Sequence, residues 1–335
     1  MRVSLLTCLA VTLVTVTTAQ VFVIPLTGVR RTPTAELARP LGIPVRCDDK
    51  GNLYFRGYQF PNTGLAPIVR LSSKGDKNGE FSTPNIEGVT PGEVYSYDLQ
   101  PDGTVFALLG DSKDDSYLLK FNTTGGLVSK VRLDVPVHGY GLFVFDNGNA
   151  LVSGGVFSKD EGKPHDFTAL FNASGKMIRK IGLHSPASPP STEESIEPEL
   201  PPDVRDSTRR FGDLIHGPGG MAYMVRGRIR PQVRVIDSLG RVTRSFPLKP
   251  PSGDVQLESA SVAQGLLLGQ FLGTDKEGNL FKALYALYDF ETGEIRRIYG
   301  APLETGFAFA CGTDDNLVFL TSKDQRLYIT EVPLH

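Results

Sequence analysis

LFVFDNGNALVSG (142–154), followed by ALFNASGKMIRKIGL (169–183), decides the fold. In the first segment two apolar runs flank an Asp-Asn-Gly-Asn turn. In the second, two more flank Asn-Ala-Ser-Gly. β-Branched and aromatic runs broken by such turns read as β-hairpins. The first segment recurs as VRCDDKGNLYF (45–55), YDLQPDGTVFALL (97–109), LIHGPGGMAYMV (214–225), ASVAQGLLLGQF (260–271) and FACGTDDNLVFL (309–320), which makes six copies. The second recurs as IVRLSSKGDKNGEF, LLKFNTTGGLVSKVRL, VRVIDSLGRVTRSFPL and ALYDFETGEIRRIYG, which makes five. The turn glycines of the second unit are Gly75, Gly125, Gly175, Gly240 and Gly293, spaced by 50, 50, 65 and 53 residues. A period near 50 with four short strands per unit predicts an all-β, six-bladed β-propeller of four-stranded antiparallel blades. First-unit strands are the more uniformly apolar, as expected of inner strands packed on both faces.

The sixth copy ends short. One strand follows it, QRLYITEVPL (325–334), and an outer strand is missing. The apolar segment Val21–Leu26 (VFVIPL) is a spare strand, expected to pair with the last blade and close the ring, removing open sheet edges. Cys47 lies five residues before Asn52 and Cys311 five before Asn316, so the two are expected at equivalent positions in blades that meet across the closure. A disulfide between them and a pair of buried thiols both remain open, because equivalence alone does not bring two Cα atoms within bonding reach.

Composition sets the class. The chain has 335 residues, 40% hydrophobic and 21% charged, with a net charge of −2, which excludes wholesale disorder and a dominant field for nucleic acid. Residues 1–19 (MRVSLLTCLAVTLVTVTTA) carry one charge, an apolar run and small residues before Gln20, the pattern of a secretory signal. Cys8 follows Thr7, which does not fit a lipoprotein signal. The expectation is a secreted or periplasmic propeller over 20–335, monomeric and without a membrane span.

The unit of apolar run, D-x-x-G-N, apolar run, strand and D/N-x-x-G resembles the NHL-type six-bladed β-propeller family, most closely at CDDKGNLYF with IVRLSSKG and at FDNGNALVSG with ALFNASGKMIRKI. The resemblance spans the chain after the signal and implies the fold. It leaves function open between binding, scaffolding, lactonase and lyase chemistry. Among propeller enzymes, the gluconolactonase group holds a divalent metal in its channel with Glu, Asn and Asp. The nearest counterpart to its Glu segment is Pro91-Gly92-Glu93-Val94, which lacks the Gly-Pro that follows in that group. A lyase of the peptidylglycine type needs channel histidines. Of His138, His165, His184, His216 and His335, only His138 and His216 adjoin inner strands, and two separated histidines make a weak metal site. No cofactor is therefore assigned, and a divalent metal belongs only to the hydrolase or lyase alternative.

Residues just before the inner strands are Arg39, Glu93, His138, Arg210, Glu258 and Glu304, a mixed polar ring suited to a small polar ligand. Residues 184–204 hold six Pro and five acidic residues without Lys or Arg, marking an insertion at about 184–206. Residues 205–249 reverse the balance, with ten Lys/Arg and three Asp. There Arg226, Arg228 and Arg230 alternate, so an extended strand would turn them one way as an anion or partner patch, unless the acidic insertion folds back on them. Asn122-Thr-Thr and Asn172-Ala-Ser are glycosylation sequons on outer turns. The leading expectation is a binding or scaffold protein for a protein or small polar ligand. The alternative is a metal-dependent hydrolase or lyase.

Overall fold

The computed structural model describes residues 23–25, 30–33, 39–40, 45–58, 67–83, 86–157, 164–181, 212–275, 279–300, 309–313, 315–323 and 326–334. The signal segment, the acidic insertion, Arg210 and Glu304 lie outside these residues, as do His184 and His335.

Two short N-terminal strands come first, β1 (Val23–Pro25) and β2 (Arg30–Pro33). Blade one holds β3 (Arg39–Pro40), β4 (Arg46–Cys47), β5 (Leu53–Tyr58), β6 (Ile68–Leu71) and β7 (Lys77–Phe81). Blade two is β8 (Gly92–Leu99), β9 (Val105–Asp111), β10 (Ser116–Phe121) and β11 (Leu127–Arg132). Blade three is β12 (His138–Val144), β13 (Ala150–Phe157), β14 (Pro164–Phe171) and β15 (Met177–Lys180). Blade four is β16 (Asp213–His216), β17 (Ala222–Arg226), β18 (Gln232–Ile236) and β19 (Val242–Pro247). Blade five is β20 (Gln256–Ala263), β21 (Leu266–Thr274), β22 (Leu280–Tyr288) and β23 (Ile295–Gly300). Blade six is β24 (Phe309–Gly312), β25 (Asn316–Lys323) and β26 (Arg326–Pro333).

Strands within each blade pair antiparallel in chain order, and no α-helix occurs among the described residues. The innermost strands β8, β12, β16, β20 and β24 stand side by side, and β24 returns to β4, closing a ring of six blades. The core is the set of blade-to-blade interfaces. One cluster joins Tyr54, Ile68 and Phe81 of blade one to Val94, Tyr97 and Leu109 of blade two, and others repeat this around the ring.

The repeated turn has a physical cause. Asn122 Oδ1 accepts hydrogen bonds from the amides of Thr124 and Gly126, and Asn172 Oδ1 from those of Ser174 and Lys176. Asp237 Oδ1 does the same for Leu239 and Arg241. Such side-chain caps explain the Asn or Asp opening the outer turns of blades two to five, and in blade one Ser72 Oγ takes the same role for the amides of Lys74 and Asp76. At Gly125 and Gly175, φ is +91° and +83°, and a Cβ would overlap the carbonyl oxygens of Glu80 and Arg132 on the preceding blade's outer strand. Only glycine lets the turn tuck under its neighbour.

Two expectations about closure need correction in detail. An N-terminal strand does complete the last blade, but it is β2, which pairs antiparallel with β26 from Arg30–Glu331 to Pro33–Tyr328. The part of Val21–Leu26 that is described, β1, runs parallel to β23 and adds a fifth strand to blade five. The N-terminal segment thus straps both blades flanking their shared interface.

Cys47 and Cys311 form a disulfide, with Cα atoms 6.0 Å apart, yet they are not equivalent. Cys47 immediately precedes Asp48, which opens the blade-one turn by bonding Asn52, whereas Cys311 lies two before Thr313, which bonds Asn316. The blade-six turn is one residue shorter. Equivalent residues in a rotationally repeated ring face the same way around it. A one-residue offset flips a side chain to the other sheet face, so the two sulfurs point at each other. The bond closes a sequence separation of 264 residues. Replacing both cysteines by serine should lower unfolding stability by about 3–5 kcal/mol, read as a shift of the urea midpoint. An unchanged midpoint would show that the strap alone holds the ring.

Candidate functional site

The innermost strands start at one mouth of the central channel and end at the other. Their C-terminal ends carry a charged cluster that the repeat pattern does not contain. Arg46 on β4 and Asp98 on β8 each pair with the residue three past their hairpin glycine, so they stand at one level of the ring. The Asp98 side chain has 0% exposure. Its Oδ2 accepts hydrogen bonds from the amide of Val144 at 2.8 Å and from Gln100 Nε2 at 2.9 Å. Its Oδ1 lies 2.9 Å from His216 Nε2 and 3.9 Å from Arg46 Nη1. Arg46 sits above the Tyr97 ring and donates from Nη2 to the Leu214 carbonyl at 3.0 Å. Leu214 belongs to blade four, opposite blade one, so Arg46 spans the channel. His216 stacks on Phe143 at 4.2 Å between ring centres. Blades one to four thus meet in one network, and Arg46 crosses the channel at this end.

The other mouth, where the innermost strands begin, is built differently. Strand β8 is bulged between Val94 and Ser96, β12 between Gly139 and Gly141, and β20 between Leu257 and Ser259. Ser96, Gly141 and Ser259 pair with Leu108, Ser153 and Gln270, each five residues past its hairpin glycine. The three bulges are therefore at one level, and the unpaired residues are Tyr95, Tyr140 and Glu258. At this level in blade four Gly212 has φ +84°, just before Asp213, whose Oδ2 caps the Ala260 amide at 2.7 Å. A bulge re-aims a side chain out of the two-residue alternation.

Around Tyr95 the mouth is acidic and aromatic. Its ring lies 5.1 Å from His138 between centres. Tyr95 lines a shallow depression of about 360 Å³ with Pro91, Gly92, Glu93, Gly110, Asp111 and Ser112. Burial, then the charges of Glu93, Tyr140, Asp114 and Asp111, push the Tyr95 hydroxyl up to about 12. Glu93 is half exposed (53%) and pairs at 3.0 Å with Arg56, a side chain with only 3% exposure. Arg56 also donates to the Val94 carbonyl. For Asp111, burial alone would raise the pKa, but hydrogen bonds from the Thr90 hydroxyl and the amides of Asp115, Lys113 and Thr90 outweigh it and hold the carboxyl below its usual range. Across the channel, Glu258 lies 3.8 Å from Arg228.

The expected polar ring is thus assembled in part. Glu93, His138 and Glu258 stand at the starts of their strands, with Glu93 and His138 beside Tyr95. Arg39 lies in β3 opposite Tyr58. The arginine patch does not run along one strand. Arg226 ends β17, Gly227 turns the chain at φ +93°, and Arg228 and Arg230 sit in the following hairpin turn. Burial, together with the neighbouring Arg226 charge, lowers the pKa of Arg234. His216 belongs to the opposite end of the channel, and His165 lies in β14 opposite Val156.

The reading from sequence did not include Tyr95, Tyr140, Arg46, Arg56 or Asp98. The bulges leave no sequence mark beyond Gly139 and Gly141 flanking Tyr140. Asp98 and Arg46 did carry a signal: the matching residues in blades three and four are Phe143 and Ile215. Among the described residues no three His, Cys, Asp or Glu side chains are grouped to hold a metal ion. Glu93, the counterpart of a gluconolactonase ligand, gives one carboxylate oxygen to Arg56.

No family model and no curated protein matches the sequence. Solved structures do resemble the chain. A protein of unknown function from Dyadobacter fermentans aligns over 92% of this chain and 100% of its own, with a TM-score of 0.56 and 9% identity. A catalytically inactive virginiamycin B lyase from Staphylococcus aureus with quinupristin covers 92% of this chain and 99% of its own, with a TM-score of 0.49 and 13% identity. The WD40 domain of Neurospora crassa Pan2 covers 87% and 89%, with a TM-score of 0.45 and 8% identity. The Dyadobacter match shows that the overall fold recurs in another solved protein. Identities this low bear on the fold alone.

Two outcomes follow from the site. Asp98→Ala removes the acceptor of the Val144 amide and the partner of His216 Nε2, while Gln100 keeps its bond to the Val144 carbonyl, and should cost about 3 kcal/mol in urea unfolding; an unchanged midpoint would remove the network from the stability of the ring. A carboxylate whose folded pKa is depressed adds stability at neutral pH and loses it as pH falls through the folded value. The stability gap between wild type and Asp111→Asn should therefore narrow from pH 7 to pH 3, and a gap that does not change with pH would count against an ionised Asp111.

Proposed function

We propose that the protein is an exported, NHL-type six-bladed propeller that binds a small polar ligand at the mouth where its innermost strands begin. The observation that carries this reading is the triple bulge. Three blades depart from regular pairing at one level, placing Tyr95, Tyr140 and Glu258 where alternation would otherwise aim them at blade interfaces. A purely structural ring gains nothing from such a departure, which gives up a ladder position in each blade. At the opposite mouth Arg46 reaches across the channel to the Leu214 carbonyl, which disfavours entry there. The disulfide supports export, since such bonds persist in oxidising compartments. Surface loops near the acidic insertion would be a secondary contact region for a protein partner. The metal-dependent hydrolase reading has less support, because one Glu93 oxygen is held by Arg56 and no three His, Cys, Asp or Glu side chains are grouped for a metal among the described residues.

The test is thermal unfolding of the mature protein against a panel of sugars, organic acids and amines. Ligand at about a hundred times its Kd should stabilise by about 2.7 kcal/mol. Tyr140→Ala and Glu258→Ala should abolish that shift while the unliganded midpoint stays near wild type. Retention of the shift in both variants would place binding elsewhere. A stoichiometric metal in the purified protein, with a midpoint lowered by chelation, would favour the hydrolase instead.

A further inference from the structure

We infer that the depression beside Tyr95 recognises an organic ammonium group. The inference rests on the mouth-binding reading and gives the ligand a chemical class.

Three observations converge on it. First, Tyr95 lines the depression with its ring fixed in place. Its ring tip lies directly on Gly110, where any Cβ would overlap the ring, and its side is braced by His138. Its hydroxyl makes no hydrogen bond among the described residues, whereas the hydroxyls of Tyr97 and Tyr288 donate to the carbonyls of Tyr54 and Lys249. Second, the charges lining the depression are carboxylates, Glu93 and Asp111. Asp111 is fixed in its ionised form by the turn that it caps. Glu93 gives one oxygen to Arg56 and keeps half of its side chain in solvent. Third, the cation that balances Glu93 is on the protein side of the wall: Arg56 is buried behind it. What faces the depression is an aromatic face, an exposed carboxylate oxygen and a second carboxylate charge. A cation over an aromatic face, with carboxylates at its rim, is the complement of that surface. An anionic ligand would meet the same two carboxylates and be repelled. The Tyr95 phenol, held neutral by burial and then by the neighbouring charges, stays a hydrogen-bond donor and acceptor across the working range. The depression, about 360 Å³ and open, is sized for a small amine or an amine-bearing end of a larger molecule.

The probe is n-butylammonium, with n-butanol as the neutral isostere and sodium chloride matching the ionic strength. Binding is read by two-dimensional NMR on the isotope-labelled mature protein. Saturable shifts at the amides of Tyr95, Gly110 and Ser112 are expected with butylammonium and not with butanol. Gly110→Ala is the deciding variant: its Cβ meets the movable end of Tyr95, so the ring is displaced while the strand persists. Gly110→Ala and Tyr95→Leu should each weaken butylammonium at least about threefold, the lower range of a cation–aromatic contact. Equal binding of butanol, or undiminished affinity in both variants, overturns the ammonium reading. Binding of a sugar at the same amides without butylammonium would overturn it too, yet leave the mouth as the site. Absence of any shift at these amides with butylammonium, while Tyr140 and Glu258 still respond to another ligand, confines the error to the ammonium assignment.

Discussion

The ring depends on a charge placed where none should survive alone. Asp98 is wholly buried beside the axis, and a lone carboxylate there would be prohibitively costly to desolvate. It persists because four partners converge on it from three other places: the Val144 amide, Gln100 of its own strand's turn, His216, and the more distant Arg46. These partners belong to blades one to four. The directional bonds of the carboxylate constrain how those blades sit in a way that apolar interfaces, which tolerate sliding, do not. Arg46 then crosses the channel as a by-product of reaching Leu214.

The other half of the ring is held by covalent and backbone means. Blades six and one are joined by the disulfide and by apolar packing of Leu53, Val69, Val318 and Leu320. Blades five and six receive β1 and β2, and these strands cap two outer edges that would otherwise be open. Cys47 follows Arg46 directly, so the disulfide and the channel-crossing guanidinium share one short strand. β4 is the point at which the polar lock of blades one to four joins the closure of blades six and one.

The blades were legible in the sequence because each turn uses local chemistry. An Asn or Asp cap and a left-handed glycine act within a few residues, so they leave a fixed spacing that survives wherever the blade is placed. The closure was legible only in outline. Whether β1 or β2 completes the last blade depends on a ladder with β26, far along the chain, and Val23–Pro25 and Arg30–Pro33 both have the length of a strand. The cysteine pairing turned on one missing residue in the blade-six turn, which reverses a facing without altering composition. Glu93, His138 and Glu258 were found because they sit at strand starts, which a repeat reveals. Tyr95 and Tyr140 were not, since a bulge is a fact of register between two strands and neither strand alone records it.

The site therefore lies in the departures from the repeat. A propeller supplies six copies of one backbone, and residues that obey its alternation go into interfaces. Those that face the channel mouth must break it. At one end the break is chemical, with Arg46 and Asp98 replacing apolar residues, and both oxygens of the Asp98 carboxylate are engaged. At the other it is geometric, with three bulges, and leaves the Tyr95 hydroxyl and half of Glu93 uncommitted. A satisfied network has nothing to offer a ligand, because any new contact must displace an existing one. An uncommitted group on a rigid inner strand is the reverse case: its position has already been paid for by the blade interfaces, so a ligand meets it with little further loss of entropy. That asymmetry between the two mouths, more than any single residue, is what the proposal of binding at the bulged end rests on.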